Sequence, residues 1–92
     1  MKVLQSSLFA KTIKKLHKSE KELLDNVIKS LIVQPELGDL KTGNLTGVRV
    51  YKFQVNSNRM LLAYRYQEDA LILMLLAYGT HENFYRELKK SL

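Results

Sequence analysis

The sequence predicts one α+β domain over residues 1–92, with the element order β-α-α-β-β-β-α. Three observations predict this class. Apolar residues recur at helical spacing up to Pro35, and from Val48 onward they alternate with other residues as in strands. A continuous apolar run at residues 70–78 then precedes a polar helix. We therefore expect an antiparallel meander sheet that is packed by an N-terminal helical hairpin and followed by a C-terminal helix.

The N-terminal part of the chain is predicted to contain a short strand and two helices. The strand covers Lys2 to Ser6, and the first helix covers Leu8 to His17. The second helix starts at Ser19, where Glu22 has the spacing of a capping box, and it ends before Pro35. Both helices carry an apolar stripe, formed by Leu8, Phe9, Ile13 and Leu16 in the first and by Leu23, Leu24, Val27, Ile28, Leu31 and Ile32 in the second. The stripes predict a hairpin that packs by one side.

The middle of the chain is predicted to form a loop and then the meander. Residues 36–47 contain three glycines and several turn-forming polar residues, which predict a loop. Val48 to Val55 and Arg59 to Tyr66 are predicted strands, joined by a turn at Asn56 to Asn58. A further turn leads into the third strand, Ala70 to Tyr78. Its apolar character is typical of a central strand that is covered on both faces.

The last predicted strand is followed at once by a helix from Thr80 to Lys90. Thr80 has a side chain suited to an N-cap, so His81 falls in the first turn, where unpaired backbone N–H groups attract anions. Tyr85 lies one turn further along the same helix face. Beside a strand end, this pattern indicates a phosphate-handling site. Two alternatives stay open from the pattern alone: an ordinary exposed histidine and a half-buried packing tyrosine.

The composition favours an anionic partner in a reducing compartment. Fifteen lysines and arginines against nine acidic residues give a net charge of +6, which favours RNA, DNA or an acidic protein segment as partner, although solubility alone is an alternative reason. The absence of cysteine excludes disulfides and thiolate metal sites. No apolar stretch reaches the roughly 18 residues that span a bilayer. Gln5 to Ser7 interrupts any signal-peptide core, so we expect a cytoplasmic protein without a membrane partner.

Strand alternation groups the basic side chains of the meander. Lys52 and Gln54 share one face of their strand, and Arg59 and Arg65 share one face of the next. If the hairpin covers the opposite face, we expect these cations to lie beside the start of the last helix. The alternative is that they are solvated charges on an open sheet face. Because glycine-rich nucleotide loops, paired histidines and carboxylate clusters are missing, the sequence predicts neither a cofactor nor a metal.

Several motifs together carry a family resemblance. The lysine-rich hairpin is followed by Leu-x-Gly-x-Arg-x-Tyr-Lys, formed by Leu45, Gly47, Arg49, Tyr51 and Lys52. The return strand contains Leu-Leu-x-Tyr at residues 61–64, and the last strand ends in Tyr-Gly-Thr-His at residues 78–81. Over nearly the whole chain, this layout resembles the RelE/ParE superfamily, the toxins of bacterial type II toxin–antitoxin pairs.

The resemblance implies a toxin that is held inactive by a cognate antitoxin, a small, acidic and partly disordered protein, in a hetero-oligomeric complex. A Gly-Thr-His motif with an aromatic residue four positions after the histidine resembles the YafQ-type branch. It implies a metal-independent, ribosome-dependent endoribonuclease that acts on mRNA. By the same resemblance the catalytic residues are His81, Tyr85, Arg65, Arg59 and Lys52, and the RNA-binding residues are Lys52, Gln54, Arg59 and Arg49.

The chain departs from the RelE-type pattern at two places. RelE-type members have two basic residues two positions apart on the second strand, where this chain has Lys52 and Gln54. They also carry an arginine early in the next strand, where this chain has Leu61, with Arg59 two residues earlier. Two alternative functions therefore stay open. One is a ParE-like inhibitor of DNA gyrase, which has no need of His81, and the other is a catalytically silent domain that binds RNA or protein.

Overall fold

A five-stranded sheet forms the middle layer of the molecule. The computed structural model describes residues 1–91, except for the side chains of Glu82, Glu87, Lys89, Lys90 and Ser91. The strands are β1 (Lys2–Gln5), β2 (Asp39–Leu40), β3 (Arg49–Val55), β4 (Asn58–Gln67) and β5 (Ile72–Thr80). Their order across the sheet is β1-β5-β4-β3-β2. β3, β4 and β5 form the predicted antiparallel meander, while β1 runs parallel to β5 and β2 antiparallel to β3.

In the part of the chain that the structure describes, three α-helices cover the two faces of this sheet. They are α1 (Ser7–Lys14), α2 (Lys18–Val33) and α3 (His81–Ser91). The hairpin of α1 and α2 packs on one face, in a core that includes Phe9, Leu24, Leu31, Leu62, Leu73 and Leu75. α3 packs on the other face, in a core that includes Leu61, Ala63, Ala77, Phe84 and Leu88. The predicted α+β class and the doubly covered central strand are confirmed. Among the described helices, none has the length and apolar character needed to cross a bilayer.

The helix boundaries differ from the prediction in the hairpin. α1 ends at Lys14 rather than at His17, and α2 begins one residue before the predicted Ser19. The N-cap residue of α2 is His17, which has extended backbone angles and makes no capping hydrogen bond with its side chain. The predicted capping box of Ser19 and Glu22 is therefore wrong, because a capping side chain must precede the first helical residue.

The last strand lies two residues further along the chain than predicted. It begins at Ile72, because Leu71 has a φ of 53° and completes the preceding turn in the left-handed region. It continues to Thr80, so the predicted helix cap is the final residue of β5 and α3 begins at His81. The strand and the helix are thus joined without a loop, and this places the first turn of α3 directly at the end of the sheet.

A β-bulge lets β5 serve both cores. The register between β4 and β5 shifts by one residue between Ala63 and Tyr64, so Leu76 is the extra residue on β5. Leu75 therefore faces the hairpin, whereas Ala77 faces α3. The carbonyl of Leu76 accepts a hydrogen bond of 2.7 Å from Oγ of Ser6, and the same Oγ accepts one from a backbone N–H of α1 as its N-cap. The bulge, β1 and the start of α1 are consequently locked together.

The predicted loop at residues 36–47 is tied to the sheet by a buried tyrosine. The segment contains β2 and most of two single-turn 3₁₀ helices. Tyr64 has a fully buried side chain, whose hydroxyl donates a 2.6 Å hydrogen bond to the carbonyl of Pro35. The same hydroxyl accepts a 2.9 Å hydrogen bond from the N–H of Gly38. A Cβ at Gly38 would lie only 2.8 Å from that oxygen, so this close approach requires glycine.

A second buried tyrosine joins the sheet to the start of α2. Tyr78 is 5% exposed and donates a 2.6 Å hydrogen bond to Oε2 of Glu20. Its ring stacks on Phe53 at a centroid distance of 5.9 Å. Burial raises the pKa of Tyr78, and the hydrogen bond to the Glu20 carboxylate raises it further. The folded protein therefore keeps this phenolic proton at pH values where an unfolded chain has lost it.

This raised pKa predicts a loss of stability in alkaline solution. An unfolded tyrosine loses its proton near pH 10, so above that pH the unfolded state binds fewer protons and folding becomes less favourable. We expect the stability advantage of the parent over Tyr78→Phe to shrink above pH 10 by up to about 1.4 kcal/mol per pH unit. Urea unfolding of both proteins at pH 8, 10 and 11 measures this difference, and the shared titration of lysines cancels. Parallel pH profiles for the two proteins would contradict the prediction.

A candidate active site at the junction of β5 and α3

A shallow cleft of about 280 Å³ lies where β5 ends and α3 begins, and Asn58, Arg59, Thr80 and His81 line it. Pairing of Met60 with Thr80 brings the start of β4 beside the start of α3. Arg59 and His81 are both exposed, so both side chains are open to a ligand. The cleft therefore combines a permanent cation with an imidazole, at a helix end where backbone N–H groups favour anions.

An aromatic neighbour supports the imidazole. The ring of Tyr85 lies one helical turn from His81, and the two rings meet edge to face, with centroids 6.2 Å apart and an interplanar angle of 82°. Tyr85 is itself half-buried and makes a second edge-to-face contact with Phe84, at 5.1 Å and 90°. Because Phe84 belongs to the core under α3, these two contacts connect the His81 ring to the core.

Two further predicted residues lie at the same end of the same sheet face. Lys52 pairs with Leu61, which pairs with Gly79, and Gln54 pairs with Arg59. Adjacent strands are about 4.8 Å apart, so the backbone of Lys52 lies about 10 Å from Gly79. Lys52 and Gln54 are both exposed. The structure thus brings Lys52, Gln54, Arg59, His81 and Tyr85 to one region.

Arg65 lies at the opposite end of β4. Six residues separate it from Arg59, which corresponds to about 20 Å along a strand. It pairs with Met74, and its Nη1 donates a 3.2 Å hydrogen bond to the carbonyl of Thr46. Gly47 has a φ of 87° and its missing Cβ leaves the room that the guanidinium occupies. The structure therefore does not bring Arg65 together with His81, contrary to the expectation that it lies beside the start of the last helix.

Arg49 lies on the other face of β3. It is an odd number of residues from Lys52, so the two side chains point to opposite sides of the sheet. Its Nη1 donates hydrogen bonds to the carbonyls of Gly38, at 2.9 Å, and Glu36, at 3.3 Å. The structure thus places this predicted RNA-binding residue away from the cleft, where its guanidinium holds the segment that precedes β2.

Sequence reasoning missed one residue of the cleft. The sequence pattern predicts Asn58 in the turn after β3, but it is the first residue of β4 and lines the cleft beside Arg59. The turn itself is formed by Asn56, which has a φ of 56°, and Ser57. A two-residue hairpin loop that starts with asparagine was the signal that could have placed Asn58 in the strand.

The described residues show no metal-binding group. Among them, no three histidine, cysteine or acidic side chains lie close enough together to hold a metal ion. The groups that the cleft does offer are one imidazole, one guanidinium, one amide and one hydroxyl. Such a set can bind a phosphate and transfer a proton.

The helical hairpin packs on one face of the meander sheet, and the last helix packs on the other face. A family model, the ParE-like toxin of type II bacterial toxin–antitoxin system, matches residues 3–89, and the chain belongs to that family. Among curated proteins, none matches the sequence significantly.

Solved structures support the fold. A variant of the Escherichia coli toxin RelE in the free state is 17% identical with a TM-score of 0.72, over 98% of this chain and 90% of that chain. The toxin–antitoxin complex RelBE of E. coli matches at 16% identity and a TM-score of 0.69, over 86% of this chain and 94% of that chain. The RelE variant bound to the antitoxin peptide RelBc is 18% identical with a TM-score of 0.68, over 94% of this chain and 90% of that chain. At these identities the likeness shows the fold alone.

Proposed function

We propose that this toxin is an endoribonuclease that cleaves mRNA on the ribosome and so arrests translation. The observation that carries the proposal is the shared cleft of Arg59 and His81 at the start of α3, with Lys52 on the same face of the sheet. RNA is a polyanion, and the net charge of +6 favours its approach. In a cell, the ribosomes and mRNA that such a toxin needs are in the cytoplasm.

The proposed reaction uses the RNA as its own nucleophile. The ribose 2′-oxygen attacks the adjacent phosphorus, the bond from phosphorus to the 5′-oxygen breaks, and a 2′,3′-cyclic phosphate forms. One proton leaves the 2′-hydroxyl and another must reach the departing 5′-oxygen. Imidazole both accepts and donates protons near neutral pH, so His81 handles one of these transfers and solvent handles the other.

The neighbouring residues have distinct proposed roles. Arg59 and Lys52 neutralise the negative charge that grows on the phosphate oxygens in the transition state. Gln54, paired with Arg59 across the hairpin, donates hydrogen bonds to the RNA backbone. Tyr85 contacts the His81 ring edge to face and offers the exposed part of its half-buried ring to a base. Arg65 and Arg49 have no place in this scheme, because their guanidinium groups hold loop carbonyls elsewhere.

The proposal includes a cognate antitoxin that is small, acidic and partly disordered and forms a hetero-oligomeric complex with the toxin. The family name and the RelBE structure support an antitoxin partner. A groove of about 510 Å³ between β1 and the hairpin offers it apolar contacts, including Val3, Phe9, Ile13, Leu24, Ile28 and Leu75. Lys14 and Lys21 line the same groove together with Asp25, and the lysines suit acidic residues that flank an apolar segment.

Gyrase inhibition is the second candidate, because the matching family is described as ParE-like. The two functions make different demands on the same fold. An endoribonuclease needs the His81 cleft, whereas a gyrase inhibitor needs only a binding surface. Expression of the toxin without its antitoxin separates them. A selective halt in protein synthesis supports RNA cleavage, and an early block of DNA synthesis with trapped gyrase–DNA complexes supports the alternative.

The product ends provide a chemical test of the proposal. We expect cleaved mRNA to end in a 2′,3′-cyclic phosphate or a 3′-phosphate, because the ribose hydroxyl is the nucleophile. We also expect no dependence on a metal beyond the Mg²⁺ that ribosomes need, since the sequence lacks cysteine and paired histidines. The measurement is end mapping of mRNA from translating ribosomes, with chelator titrated against Mg²⁺. Products that end in a 3′-hydroxyl would exclude this mechanism, because an external nucleophile forms them.

A further inference from the structure

A second cleft of about 280 Å³ lies on the other side of the start of α3, between α1 and the last residues of β5. β1 ends at Gln5, opposite Leu75, so beyond that point α1 rather than a strand runs beside β5. Leu8, Ala77 and Phe84 form an apolar floor, and they belong to the core under α3. We call this space the α1 cleft.

The rim of the α1 cleft is basic. Lys11 and Lys15 both line it, and both are exposed. Lys11 lies in α1, and Lys15 is its C-cap residue, which keeps helical backbone angles. The two lysines are four residues apart and therefore lie about one helical turn apart on one side of the helix end. No carboxylate is among the described residues that line the cleft. Two lysines that line one cleft suit two neighbouring phosphates.

A polar side chain of α3 completes the rim. Asn83 lines the cleft and accepts a 2.7 Å hydrogen bond on its Oδ1 from Nη2 of Arg86. This contact orients the side-chain amide, whose nitrogen is a hydrogen-bond donor. The hydroxyl of Thr12, by contrast, donates to the carbonyl of Leu8 within α1, so it serves the helix.

The two clefts share the end of β5. Gly79 lines the α1 cleft, and the next two residues, Thr80 and His81, line the cleft of Arg59. A single strand that crosses the start of α3 can therefore contact Arg59 and His81 in one cleft and the two lysines in the other. Apart from the two chain neighbours of Gly79, no described heavy atom lies within 4 Å of where its Cβ would be, so the described part of the structure leaves space above the strand between the two clefts.

We propose that the α1 cleft is a second phosphate-binding site for single-stranded RNA, in which Lys11 and Lys15 bind the backbone next to the cleaved bond. This inference rests on the proposed function for the position of that bond, but binding is measurable without cleavage. The site holds the RNA in register across His81. Loss of this site therefore lowers the affinity for RNA and makes RNA binding less dependent on salt. It leaves the chemical structure of the product ends unchanged.

The test is the affinity of the full chain for an RNA oligonucleotide that carries 2′-O-methyl groups throughout and cannot be cleaved. We expect Lys11→Ala/Lys15→Ala to bind it at least tenfold more weakly in dilute salt. The slope of log Kd against log salt should fall by about 1.4, since each single-strand phosphate contact contributes roughly 0.7. The matched control is Lys18→Ala/Lys29→Ala, which removes two exposed charges from α2 outside both clefts. Circular dichroism and Tm verify that both variants fold.

The outcomes separate this inference from the proposed nuclease activity. Lys11→Ala/Lys15→Ala is the α1 variant. If the slope of log Kd against log salt falls in the α1 variant and not in the control, the site is supported. This holds even if the parent cleaves no RNA, because only the nuclease proposal then fails. Equal slopes in the α1 variant and the control overturn the site, even if cleavage that depends on His81 persists. The site is also overturned if the α1 variant keeps its RNA affinity and loses affinity only for an acidic antitoxin peptide.

Discussion

His81→Ala is expected to lower the rate of mRNA cleavage by about 10²–10⁴-fold, the usual contribution of a positioned general acid or base. The fold should survive, because His81 is exposed at the first position of α3 and its ring contacts the ring of Tyr85 edge to face. The measurement is the cleavage rate on translating ribosomes, at toxin concentrations matched by absorbance. Circular dichroism and urea unfolding establish that the variant is folded.

The chain contains a matched control for this substitution. His17 is the other histidine, and it is exposed at the start of α2, where its side chain makes no capping hydrogen bond. His17→Ala is expected to keep the parental cleavage rate and nearly the parental stability. A His81→Ala variant that is as toxic as the parent at equal expression would show that His81 is not catalytic. That result would favour the gyrase alternative, which does not use the imidazole.

Tyr64→Phe is expected to lower the free energy of unfolding by about 2–3 kcal/mol, because it leaves two buried backbone groups without their partner. The hydroxyl donates to the carbonyl of Pro35 and accepts from the N–H of Gly38, and the tyrosine side chain is fully buried. Small domains have only about 5–15 kcal/mol of stability, so the loss is a large fraction of the total. Urea unfolding at pH 7 measures it.

Tyr66→Phe is the matched control for Tyr64→Phe. Tyr66 lies two residues further along β4, on the same sheet face, and is only partly buried. We expect its substitution to change the free energy of unfolding by less than about 0.5 kcal/mol, as is usual for partly exposed positions away from buried networks. If both variants lose the same stability, the hydrogen bonds of Tyr64 do not hold residues 35–38 to the sheet.

The features that the sequence alone determined are those that depend on local periodicity. Alternation assigned Lys52 and Gln54 to one face of their strand, and the pairing of Gln54 with Arg59 shows that Arg59 lies on that same face of the sheet. The change from an apolar strand to a polar helix placed His81 in the first turn of α3, as observed. Each residue in a strand or helix sets the direction of its own side chain relative to its neighbours, so these predictions need no knowledge of distant contacts.

Local sequence patterns could not predict where a residue lies along its strand relative to the cleft, or which groups a long side chain binds. Arg65 shares a face with Arg59 but lies about 20 Å away from it. Its guanidinium, like that of Arg49, is held by carbonyls of the segment between α2 and β3. That segment was predicted as a loop, and the carbonyls it presents depend on how it folds back on the sheet. Only the tertiary structure decided which cations face the cleft.

The bulge at Leu76 is the clearest contribution of the tertiary structure. A regular strand would put Leu75, Ala77 and Gly79 on one face, whereas the extra residue turns Ala77 and Gly79 toward α3. Ser6 lies between β1 and α1, 70 residues from Leu76 in the sequence, and its hydroxyl holds the bulge by donating a hydrogen bond to the carbonyl of Leu76. The sequence pattern cannot show whether β5 has a bulge, because both of its faces are buried and its residues are apolar in either case. The residues that end the sheet beside His81 were therefore set by packing between distant parts of the chain.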